Sequence, residues 1–320
     1  MDKINIAVLG PGKIARRFVN GKSEYVNYYA VCGRNPDKTK KFAEDNGIDI
    51  YYSIEECLND DNVDAVYIST PNPTHYELTK LCLNHHKHVL CEKPFVGTKE
   101  ECNELYDLAK DKGLMLMEAD KQLFLPLTQK IKEILDNKII GDVKYMNGYY
   151  CDNRESKDIF QKDHWVFEEK TGGAIRDIGI YPIAYFNYLN NWEIEEVNTV
   201  SRYLHGVDCF SITEIRYKNG VFSTSVSGFD IDLPKGCDIY GTLGHIHIDN
   251  FWKTGKASIY LNTSETIELN EEMISDFKYE TDHFALCIKK SLNESPVIGR
   301  NESLKLIDIF ESAKKHKSTD

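Results

Sequence analysis

The chain begins with a strand, a glycine-rich turn and a helix in immediate succession, and this feature limits its fold more than any other. Residues 4–9 are apolar, the turn reads Gly10-Pro11-Gly12-Lys13-Ile14-Ala15, and a helical pattern continues to Val19. In such a turn the first glycine permits a tight bend, the second lets the backbone approach a pyrophosphate, and the alanine lets the helix pack closely. Amides at the start of the helix then face the anion. The pattern predicts a dinucleotide site on a doubly wound parallel α/β sheet, with a purely structural turn as the alternative. The predicted contact residues are Gly10, Gly12, Lys13, Ile14 and Ala15.

The end of the second predicted strand bears on the choice of cofactor. Residues 28–31 form this strand, and Cys32-Gly33-Arg34 follow it. A site selective for the 2′-hydroxyl of the adenine ribose normally carries an acid at this position, and none is present. Arg34 can pair with a 2′-phosphate through its planar, permanently charged guanidinium, which favours NADP over NAD. The alternative is a solvated loop arginine, which leaves NAD as a possible cofactor.

Strands and helices continue to alternate through residues 49–52, 55–58 and 63–69. The last of these segments is a buried strand that leads into a polar loop ending at His75. Because the loop follows a parallel strand, it should lie at the same edge of the sheet as the glycine turn and can line the cofactor crevice. For His75 two interpretations are open, namely contact with cofactor or substrate, and a role confined to the start of the next helix. The predicted cofactor contacts in this loop are Thr70, Pro71, Asn72 and His75.

A later apolar strand, residues 89–91, stops abruptly at Glu92-Lys93-Pro94. An ionisable pair at the carboxyl end of a parallel strand stands where open α/β sheets bind ligands, and a surface ion pair is the alternative. A helix over residues 101–110 and a strand over 114–117 complete a six-strand doubly wound unit, with Lys93 on its fifth strand. The first predicted domain therefore covers residues 1–121.

Composition narrows the range of partners and compartments. The formal net charge of −12 gives phosphate backbones and anionic lipids little to attract them, so neither nucleic acid nor membrane is expected as a partner. The N-terminal apolar run is too short for a signal peptide, and no later stretch is long enough to span a bilayer. Nine cysteines without a Cys-x-x-Cys indicate reduced thiols in a cytoplasmic protein. His85, His86 and His88 lack neighbouring cysteines or carboxylates, so no metal site is predicted.

Beyond Pro126 the chain changes character. A helical pattern with apolar Ile131, Ile134 and Leu135 is followed, over residues 143–269, by a segment rich in tyrosine, threonine and alternating strands. The clearest predicted strands are 210–217, 221–229, 238–240 and 245–249. They indicate an antiparallel sheet in an α+β second domain of residues 122–320. His245 and His247 share one strand face, and we interpret them as sheet or interface residues.

A glycine turn that opens a helix interrupts these strands at residues 172–181. Asp177 and Tyr181 are four residues apart, which places both side chains on one face of a regular helix. Pro182 has no amide to give, so a kink or a loosened turn is expected there. The structural alternative is a hydrogen-bonded helix pair. Two final helices, residues 281–291 and 302–315, close the chain.

Three stretches together resemble the Gfo/Idh/MocA superfamily, the glucose-fructose oxidoreductase and inositol dehydrogenase-like NAD(P)-dependent oxidoreductases. They are the glycine turn, the stretch His88-Val89-Leu90-Cys91-Glu92-Lys93-Pro94, and residues 172–181, which read Gly-Gly-Ala-Ile-Arg-Asp-Ile-Gly-Ile-Tyr. Tyr181 stands where many relatives carry histidine, which is similar to the branch containing dimeric dihydrodiol dehydrogenase and NADP-dependent D-xylose dehydrogenase. Leu123 departs from that branch, in which an arginine is common.

The resemblance implies an N-terminal Rossmann domain and a C-terminal domain whose sheet is large, open and mostly antiparallel. Helices cover one face of that sheet, and the other face is free to pair with a second subunit. A homodimer or homotetramer is therefore expected. In the family the last helix often returns to the nucleotide domain.

The resemblance also implies roles for the polar residues. Lys93, Tyr181 and Asp177 would form the catalytic group. Glu92 would accept a hydrogen bond from the nicotinamide ribose, and Lys93 would also contact the cofactor. A nearby ammonium lowers the pKa of a tyrosine, which favours Tyr181 as the proton carrier, but a desolvated Lys93 is the other candidate. Asp177 would orient the pair or bind a substrate hydroxyl.

These observations predict an NAD(P)-dependent oxidoreductase that transfers a hydride between the nicotinamide and a hydroxyl or carbonyl group of a sugar, polyol or diol. Two alternatives remain, an NAD-dependent glycosidase of the same family and a nucleotide-sensing regulator without chemistry. The joint presence of Lys93, Asp177 and Tyr181 argues against the regulator. Polar and aromatic residues that could line the substrate pocket are Tyr150, Asp152, Arg154, His164 and Trp165.

Overall fold

A computed structural model of the chain describes residues 3–154 and 164–313. The chain divides into two units, one formed by Met1–Lys121 with Ile274–Leu304 and the other by Gln122–Met273 with Lys305–Asp320. The first unit is built on a six-stranded sheet and the second on an eight-stranded sheet.

Six parallel strands form the sheet of the first unit: β1 (Ile4–Leu9), β2 (Val26–Cys32), β3 (Ile50–Tyr52), β4 (Ala65–Ile68), β5 (His88–Glu92) and β6 (Leu116–Ala119). Their order across the sheet is β3-β2-β1-β4-β5-β6, so the direction of the crossovers reverses between β1 and β4. The central strands are apolar and buried, as expected for a parallel sheet with helices on both faces. Sheets of this kind bind nucleotides at the carboxyl ends of the strands beside the reversal. The predicted six-strand doubly wound unit is confirmed.

Five helices connect these strands: α1 (Lys13–Val19), α2 (Pro36–Asn46), α3 (Ile54–Asn59), α4 (His75–Asn84) and α5 (Lys99–Asp111). Local sequence sets the start of three of them. The side chain of Asn35 caps α2. Ser53 with Glu56, and Thr98 with Glu101, form capping boxes that satisfy the first amides of α3 and α5.

The second unit begins with α6 (Pro126–Asp136), followed by eight strands. These strands are β7 (Val143–Cys151), β8 (Ile194–Leu204), β9 (Val207–Tyr217), β10 (Phe222–Gly228), β11 (Gly236–Gly241), β12 (Gly244–Asp249), β13 (Lys256–Leu261) and β14 (Thr266–Asn270). The sheet order is β14-β13-β12-β11-β7-β10-β9-β8, and neighbouring strands are antiparallel except for β7 with β10. The predicted large and mostly antiparallel sheet is confirmed.

A wide helical turn precedes the helix that carries Tyr181. Residues Ile175–Gly179 form a π-helix, which leads into α7 (Ile180–Leu189). Pro182 has no amide to complete a regular turn, and the loosened turn predicted for this proline lies just before it. Asp177 belongs to the π-helix and Tyr181 to α7, so their four-residue spacing spans the wide turn. The shared face of the two side chains stays a prediction, because the residues belong to two different helical segments.

Helix α7 is buried along almost its whole length and packs on β7 and β10. Glycines allow this close approach. A Cβ on Gly148 of β7 would lie 2.9 Å from the ring of Phe186, and a Cβ on Gly179 would lie 2.8 Å from Ser227 Oγ. The helix that carries Tyr181 is thus pressed onto the sheet at positions where larger residues would not fit.

The C-terminal part of the chain contributes to both units. Helix α8 (Lys278–Lys289) belongs to the first unit, and α9 (Arg300–Ser312) begins there and continues in the second. The domain limits expected from the sequence placed residues 274–304 in the second domain. The structure places them in the first unit, where Phe277 packs edge-on against Phe18 and Asp276 pairs with Arg17. Residues 314 and 315 of the predicted last helix lie outside the described residues. No described helix is long and apolar enough to cross a bilayer.

Candidate functional site

The backbone of the glycine turn leaves room for an anion. Gly10 has a φ of +101°, and a Cβ there would lie 2.8 Å from Thr70 Cγ2, so only glycine fits. A Cβ on Gly12 would meet nothing nearer than the Gly10 carbonyl oxygen at 3.9 Å, so that side of the turn is open. Helix α1 has no side-chain cap, which leaves its first amides available to an oxyanion.

The predicted contact residues next to the glycine turn differ in their exposure to solvent. At the end of β2, Gly33 packs against the turn, because a Cβ there would lie 2.9 Å from Pro11 Cδ. Arg34 comes next and is exposed. The loop after β2 and the glycine turn therefore lie side by side, and the exposed Arg34 directly follows the glycine that packs against the turn. Of the other predicted contact residues, two are exposed and the third is fully buried: Lys13, Ile14 and Ala15.

The loop after β4 lies against the same turn. Ser69 Oγ donates to the Gly10 carbonyl oxygen at 3.1 Å. The hydroxyls of Thr70 and Thr74 are 2.7 Å apart, and Thr74 Oγ1 donates to the Pro71 carbonyl oxygen at 2.7 Å. These bonds hold the loop at the carboxyl end of β4, beside the reversal of strand order. Three predicted contact residues lie in this loop: Thr70, Pro71 and Asn72.

His75 begins α4 and is fully buried. Its Nδ1 lies 2.9 Å from the carbonyl oxygen of Pro94, and its Nε2 lies 2.9 Å from that of Thr70. Burial lowers the pKa of His75, and the carbonyls that it contacts raise the pKa only in part. Both ring nitrogens are used inside the first unit. Of the two interpretations open from the sequence, ligand contact through these nitrogens is therefore not what the structure shows.

Glu92 and Lys93 leave β5 at the same edge of the sheet. Tyr67 of β4 donates a hydrogen bond to Glu92 Oε1, and the ring of Phe18 stacks on that of Tyr67 at a centroid distance of 3.6 Å. Burial raises the pKa of Glu92, while the Tyr67 phenol and two nearby lysines lower the pKa in part. Both Glu92 and Lys93 are partly exposed. The first unit thus presents an oriented carboxyl and an amine two strands away from the glycine turn.

A second acid, Glu280 of α8, lies near Glu92 and is fully buried. Among the residues that the structure describes, neither of its carboxyl oxygens has a hydrogen-bond partner. Burial raises the pKa of Glu280 well above its ordinary value, the charge of Glu92 raises it further, and Lys121 opposes the rise. Lys121 is itself paired with Asp276. A buried carboxyl without a partner is most stable as the neutral acid.

Glu280→Gln should therefore stabilise the protein, and by more at higher pH. In the unfolded chain the carboxyl loses its proton near its ordinary pKa of 4.5, whereas the folded chain keeps that proton to a higher pH. Folding then binds a proton, so the stability of the wild type falls as the pH rises through this interval. Glutamine has nearly the same shape and no proton to lose. Calorimetric Tm values measured from about pH 5 to about pH 8 should show the advantage of the variant increasing with pH.

The matched control for this measurement is Glu44→Gln, on an exposed position of α2. The control should change Tm by a small amount that does not grow with pH. A difference between Glu280→Gln and wild type that stayed constant across the pH range would contradict a neutral buried acid at this position.

In the second unit a cation holds Asp177. Arg154 Nη1 donates to Asp177 Oδ2 at 2.7 Å, and Arg154 Nε lies 3.3 Å from Asp152 Oδ2. Lys235 contacts the other oxygen of Asp152 at 3.0 Å. Burial is the largest influence on the pKa of Arg154 and lowers it, but the charges and hydrogen bonds of Asp177 and Asp152 together outweigh burial and raise the pKa, so the guanidinium stays charged. Two predicted pocket residues, Asp152 and Arg154, therefore belong to a row of alternating charges that ends at Asp177.

Aromatic rings surround Tyr181 within the second unit. The ring centroid of Tyr150 lies 5.4 Å from that of Tyr181 and 4.2 Å from that of Trp252, on which it stacks. Tyr150 and Tyr181 are partly exposed, whereas Trp252 is almost fully buried beneath them. A supported pair of phenol rings suits both the apolar C–H face of a sugar ring and a flat ring that carries a diol.

His164 and Trp165, the remaining predicted pocket residues, make local contacts. His164 Nδ1 accepts a hydrogen bond from the Val166 amide at 3.2 Å. Trp165 packs against a buried cluster that includes Val166, Phe167 and Phe229. Their place in a substrate pocket stays a prediction.

The three clustered histidines have no metal-like geometry. Among the described residues, no group of three or more His, Cys, Asp or Glu is arranged to hold a metal ion. His88 Nδ1 accepts a hydrogen bond from the Met115 amide at 2.9 Å, and burial lowers the pKa of His88. His88 therefore adds a side-chain hydrogen bond between β5 and Met115, the residue just before β6.

Four residues beside these groups were not anticipated from the sequence: Tyr67, Glu280, Lys235 and Trp252. Two of them carry a signal that could have been found. Tyr67 places a hydroxyl in an apolar strand, and Glu280 places a carboxyl four residues before Phe284 in the buried stripe of α8. A polar group where burial is expected indicates a specific partner or a specific protonation state. Lys235 directly precedes β11 and Trp252 lies in the turn after β12, and no local pattern marks either residue.

Comparisons with known proteins agree with this geometry. Residues 4–119 match the family profile described as "Oxidoreductase family, NAD-binding Rossmann fold", and residues 128–247 match the GFO/IDH/MocA C-terminal domain. A curated trans-1,2-dihydrobenzene-1,2-diol dehydrogenase from Xenopus tropicalis is 30% identical over 322 residues, with 96% of each chain covered.

Two solved structures share the fold. The aldose-aldose oxidoreductase from Caulobacter crescentus, complexed with glycerol, has a TM-score of 0.86 at 23% identity, with 98% of both chains covered. A 3-ketoreductase from Actinomadura kijaniata, in complex with NADP, has a TM-score of 0.83 at 23% identity, covering 98% of this chain and 97% of the other. The two family profiles match this chain one after the other, and the X. tropicalis relative, at 30% identity, aligns with this chain over nearly its whole length. The chain therefore belongs to the Gfo/Idh/MocA family of NAD(P)-dependent oxidoreductases, which confirms the resemblance found in its motifs.

Proposed function

We propose that this family member is an NADP-dependent dehydrogenase that moves a hydride between the nicotinamide and a CH–OH carbon of a sugar, polyol or diol. The observation that carries the proposal is the arrangement at one edge of the first sheet. The glycine turn after β1 and the Glu92-Lys93 pair after β5 both lie at the carboxyl ends of parallel strands, with β4 between them. That edge supplies phosphate contacts at one strand and ionisable groups two strands away, as a dinucleotide enzyme requires.

The residues of the first unit fit NADP. The open side of Gly12 and the uncapped start of α1 suit the pyrophosphate. Arg34 is exposed and no acid stands beside it at the end of β2, which suits a 2′-phosphate. Glu92, oriented by Tyr67, suits a hydroxyl of the nicotinamide ribose. When bound, NADP supplies the hydride acceptor or donor, and the protein must handle the proton.

The proton is assigned to Tyr181 and Lys93, with Asp177 as their partner. Oxidation of an alcohol carbon releases the hydroxyl proton, which needs a basic atom within hydrogen-bond reach. The oxygen of Tyr181 is the preferred acceptor, because an ammonium such as that of Lys93 stabilises a phenolate. The amine of Lys93 is the second candidate. Asp177, held by Arg154, offers a fixed carboxylate that orients these groups or a substrate hydroxyl. The grouping rests on family membership and on chemistry, since Lys93 belongs to the first unit and the other residues to the second.

A substrate screen tests the function. The relative from X. tropicalis is named for a diol and the C. crescentus enzyme for aldoses, so sugars, cyclitols and diols are the classes to assay with NADP. Absorbance at the nicotinamide band should rise with at least one class. Bond cleavage without any net absorbance change would indicate the glycosidase alternative. Tight binding of NADP without turnover of any class would indicate the regulator.

Arg34→Asp should change the cofactor preference from NADP to NAD. The variant loses a charge-assisted contact with the 2′-phosphate and gains a carboxylate that repels it, so kcat/KM for NADP should fall by roughly 10- to 100-fold. For NAD the new carboxylate can accept from the 2′-hydroxyl, so kcat/KM should hold or rise. Steady-state kinetics with each cofactor at one fixed substrate concentration measure both values.

The control for this change is Lys38→Asp, which makes the same change of charge on an exposed position of α2. This variant should affect NADP and NAD about equally and weakly. Equal losses for both cofactors in Arg34→Asp would mean that Arg34 does not recognise the phosphate.

The outer face of the eight-stranded sheet supports a homodimer or homotetramer. Large apolar and aromatic side chains that are exposed to solvent share this face, as the strand register shows. An exposed apolar surface of this kind is typical of a protein–protein interface. The side chains are Tyr145, Val200, Ile212, Phe222, Tyr240 and Tyr260.

A cytoplasmic location is supported by the state of the thiols. All nine cysteines are free and buried. Proteins of oxidising compartments commonly pair their cysteines, whereas free buried cysteines are typical of reducing compartments. The small-molecule substrates proposed above are compatible with that location.

A further inference from the structure

His75 connects two parts of the first unit that the proposed function uses for different steps. Its Nδ1 contacts the carbonyl of Pro94, the residue directly after Lys93. Its Nε2 contacts the carbonyl of Thr70, whose methyl group lies against Gly10 in the glycine turn. One buried ring therefore spans the distance between the phosphate-binding turn and the turn that carries the amine.

The chemistry of the two contacts restricts how the ring can serve them. A backbone carbonyl only accepts hydrogen bonds, so each contact needs an N–H on the ring. A neutral imidazole has one N–H, and its tautomer decides which nitrogen carries it. Because burial lowers the pKa of His75, the neutral ring is the form to consider at neutral pH. The neutral ring therefore donates to one of the two carbonyls at a time, and its two tautomers serve the Pro94 and Thr70 carbonyls in turn.

We propose that His75 is a positioning residue that ties the Thr70 loop and the Lys93-Pro94 turn to one buried ring. This inference rests on the proposed function and adds a residue that touches neither cofactor nor substrate through its ring nitrogens. The Pro94 contact acts on the chemical step, because a shift of the peptide after Lys93 moves the amine. The Thr70 contact acts on cofactor binding, because Thr70 packs against Gly10.

Two substitutions separate the contacts, because each keeps a single donor. The amide nitrogen of asparagine stands near the position of Nδ1, so His75→Asn keeps the Pro94 contact and loses the Thr70 contact. Its KM for NADP should rise about 5- to 10-fold, the loss of one hydrogen bond, with kcat within about twofold of wild type. The amide nitrogen of glutamine stands near the position of Nε2, so His75→Gln does the reverse. Its kcat should fall about 10- to 100-fold, with NADP affinity within about twofold.

Hydrogen–deuterium exchange on the whole chain gives a readout that needs no substrate. His75→Asn should speed amide exchange in residues 69–74 and leave residues 95–97 unchanged, and His75→Gln should show the opposite pattern. His85→Asn, at the other end of α4, is the control and should change neither segment nor the kinetics. If the wild type oxidises no alcohol at all, the proposed function fails while the exchange pattern still tests the two contacts.

If either variant had the kinetics and the amide exchange rates of the wild type, His75 would not position both the Thr70 loop and the Lys93-Pro94 turn. Proportional losses of kcat and NADP affinity in both variants would also overturn the proposal, because they indicate general destabilisation. If neither variant folds, nuclear magnetic resonance of the wild type labelled with ¹⁵N-histidine decides. Ring ¹⁵N shifts that show both nitrogens partly protonated, through exchange between the two tautomers, support the proposal, and a single fixed tautomer overturns it.

Discussion

Lys93→Met should abolish the oxidation of every alcohol that the wild-type enzyme accepts, while NADP still binds. Methionine keeps the length and the apolar stem of the side chain and removes the amine. A positioned acid/base group contributes about 10²- to 10⁴-fold to the rate, so kcat should fall by at least about 100-fold. The proposed phosphate contacts lie two strands away, at the glycine turn, so the affinity for NADP should change less than about tenfold. Absorbance at the nicotinamide band gives kcat, and quenching of protein fluorescence gives the affinity.

A second substitution at the same position separates the two roles considered for the lysine. Lys93→Arg keeps a permanent positive charge, but a guanidinium does not release its proton at working pH. If Lys93 only stabilises the phenolate of Tyr181, the arginine variant should recover a substantial part of kcat. If Lys93 carries the proton, the arginine variant should be as slow as the methionine variant. Lys110→Met, on an exposed position of α5, is the control, and near-normal turnover in Lys93→Met would contradict the mechanism.

Local signals explain why the fold of the first unit could be predicted. Each βα step is encoded within about 20 residues by an apolar strand, a glycine or polar loop, and a capped helix. The glycine turn, the Thr70 loop and the Glu92-Lys93 pair each follow a strand directly. Because all parallel strands end at one edge, the sequence places these three loops together without any knowledge of side-chain contacts.

The return of residues 274–304 to the first unit depends on contacts that no local pattern encodes. Phe277 contacts Phe18, and Ser23 contacts Asp282, although 259 positions in the sequence separate the members of each pair. Helix propensity and capping predict α8 as a helix but carry no information about its partner. The π-helix before α7 is only partly such a case. The missing amide of Pro182 predicts a loosened turn from the sequence, whereas the close fit of Gly179 against Ser227 is a tertiary contact that local sequence does not show.

The residues of the candidate site also differ in whether local sequence or only a tertiary contact explains their role. The sequence identifies His75, Asp177 and Tyr181 as polar residues beside functional loops, but it does not show what each one contacts. The carbonyl of Pro94 reaches His75 because β5 lies next to β4 in the sheet, and the guanidinium of Arg154 reaches Asp177 because β7 lies next to the π-helix. Roles that depend on such neighbours require the structure, whereas the presence of an ionisable group at a strand end does not.

Tyr181→Phe should lower kcat at least about 100-fold, as strongly as the loss of the amine, and should leave NADP binding unchanged. Phenylalanine keeps the ring contacts with Tyr150 and Trp252, whose centroids lie 5.4 and 6.0 Å away, so the variant removes the phenolic oxygen alone. Tyr188→Phe on the same helix is the control, since the Tyr188 hydroxyl bonds to Gln129 at 2.9 Å. The control should lose some stability and keep its kcat.

The double variant Lys93→Met/Tyr181→Phe tests whether the two residues act as one proton-transfer unit. Groups that act as a unit give grossly non-additive losses, so the double variant should be about as slow as the slower single variant. Independent roles would instead multiply the two losses, to roughly 10⁴-fold or more if each costs about 100-fold. The pH profile adds a second criterion. If Tyr181 carries the proton, its substitution should remove the rise of kcat/KM with pH that a base produces, whereas an unchanged profile in Tyr181→Phe would assign the proton to Lys93.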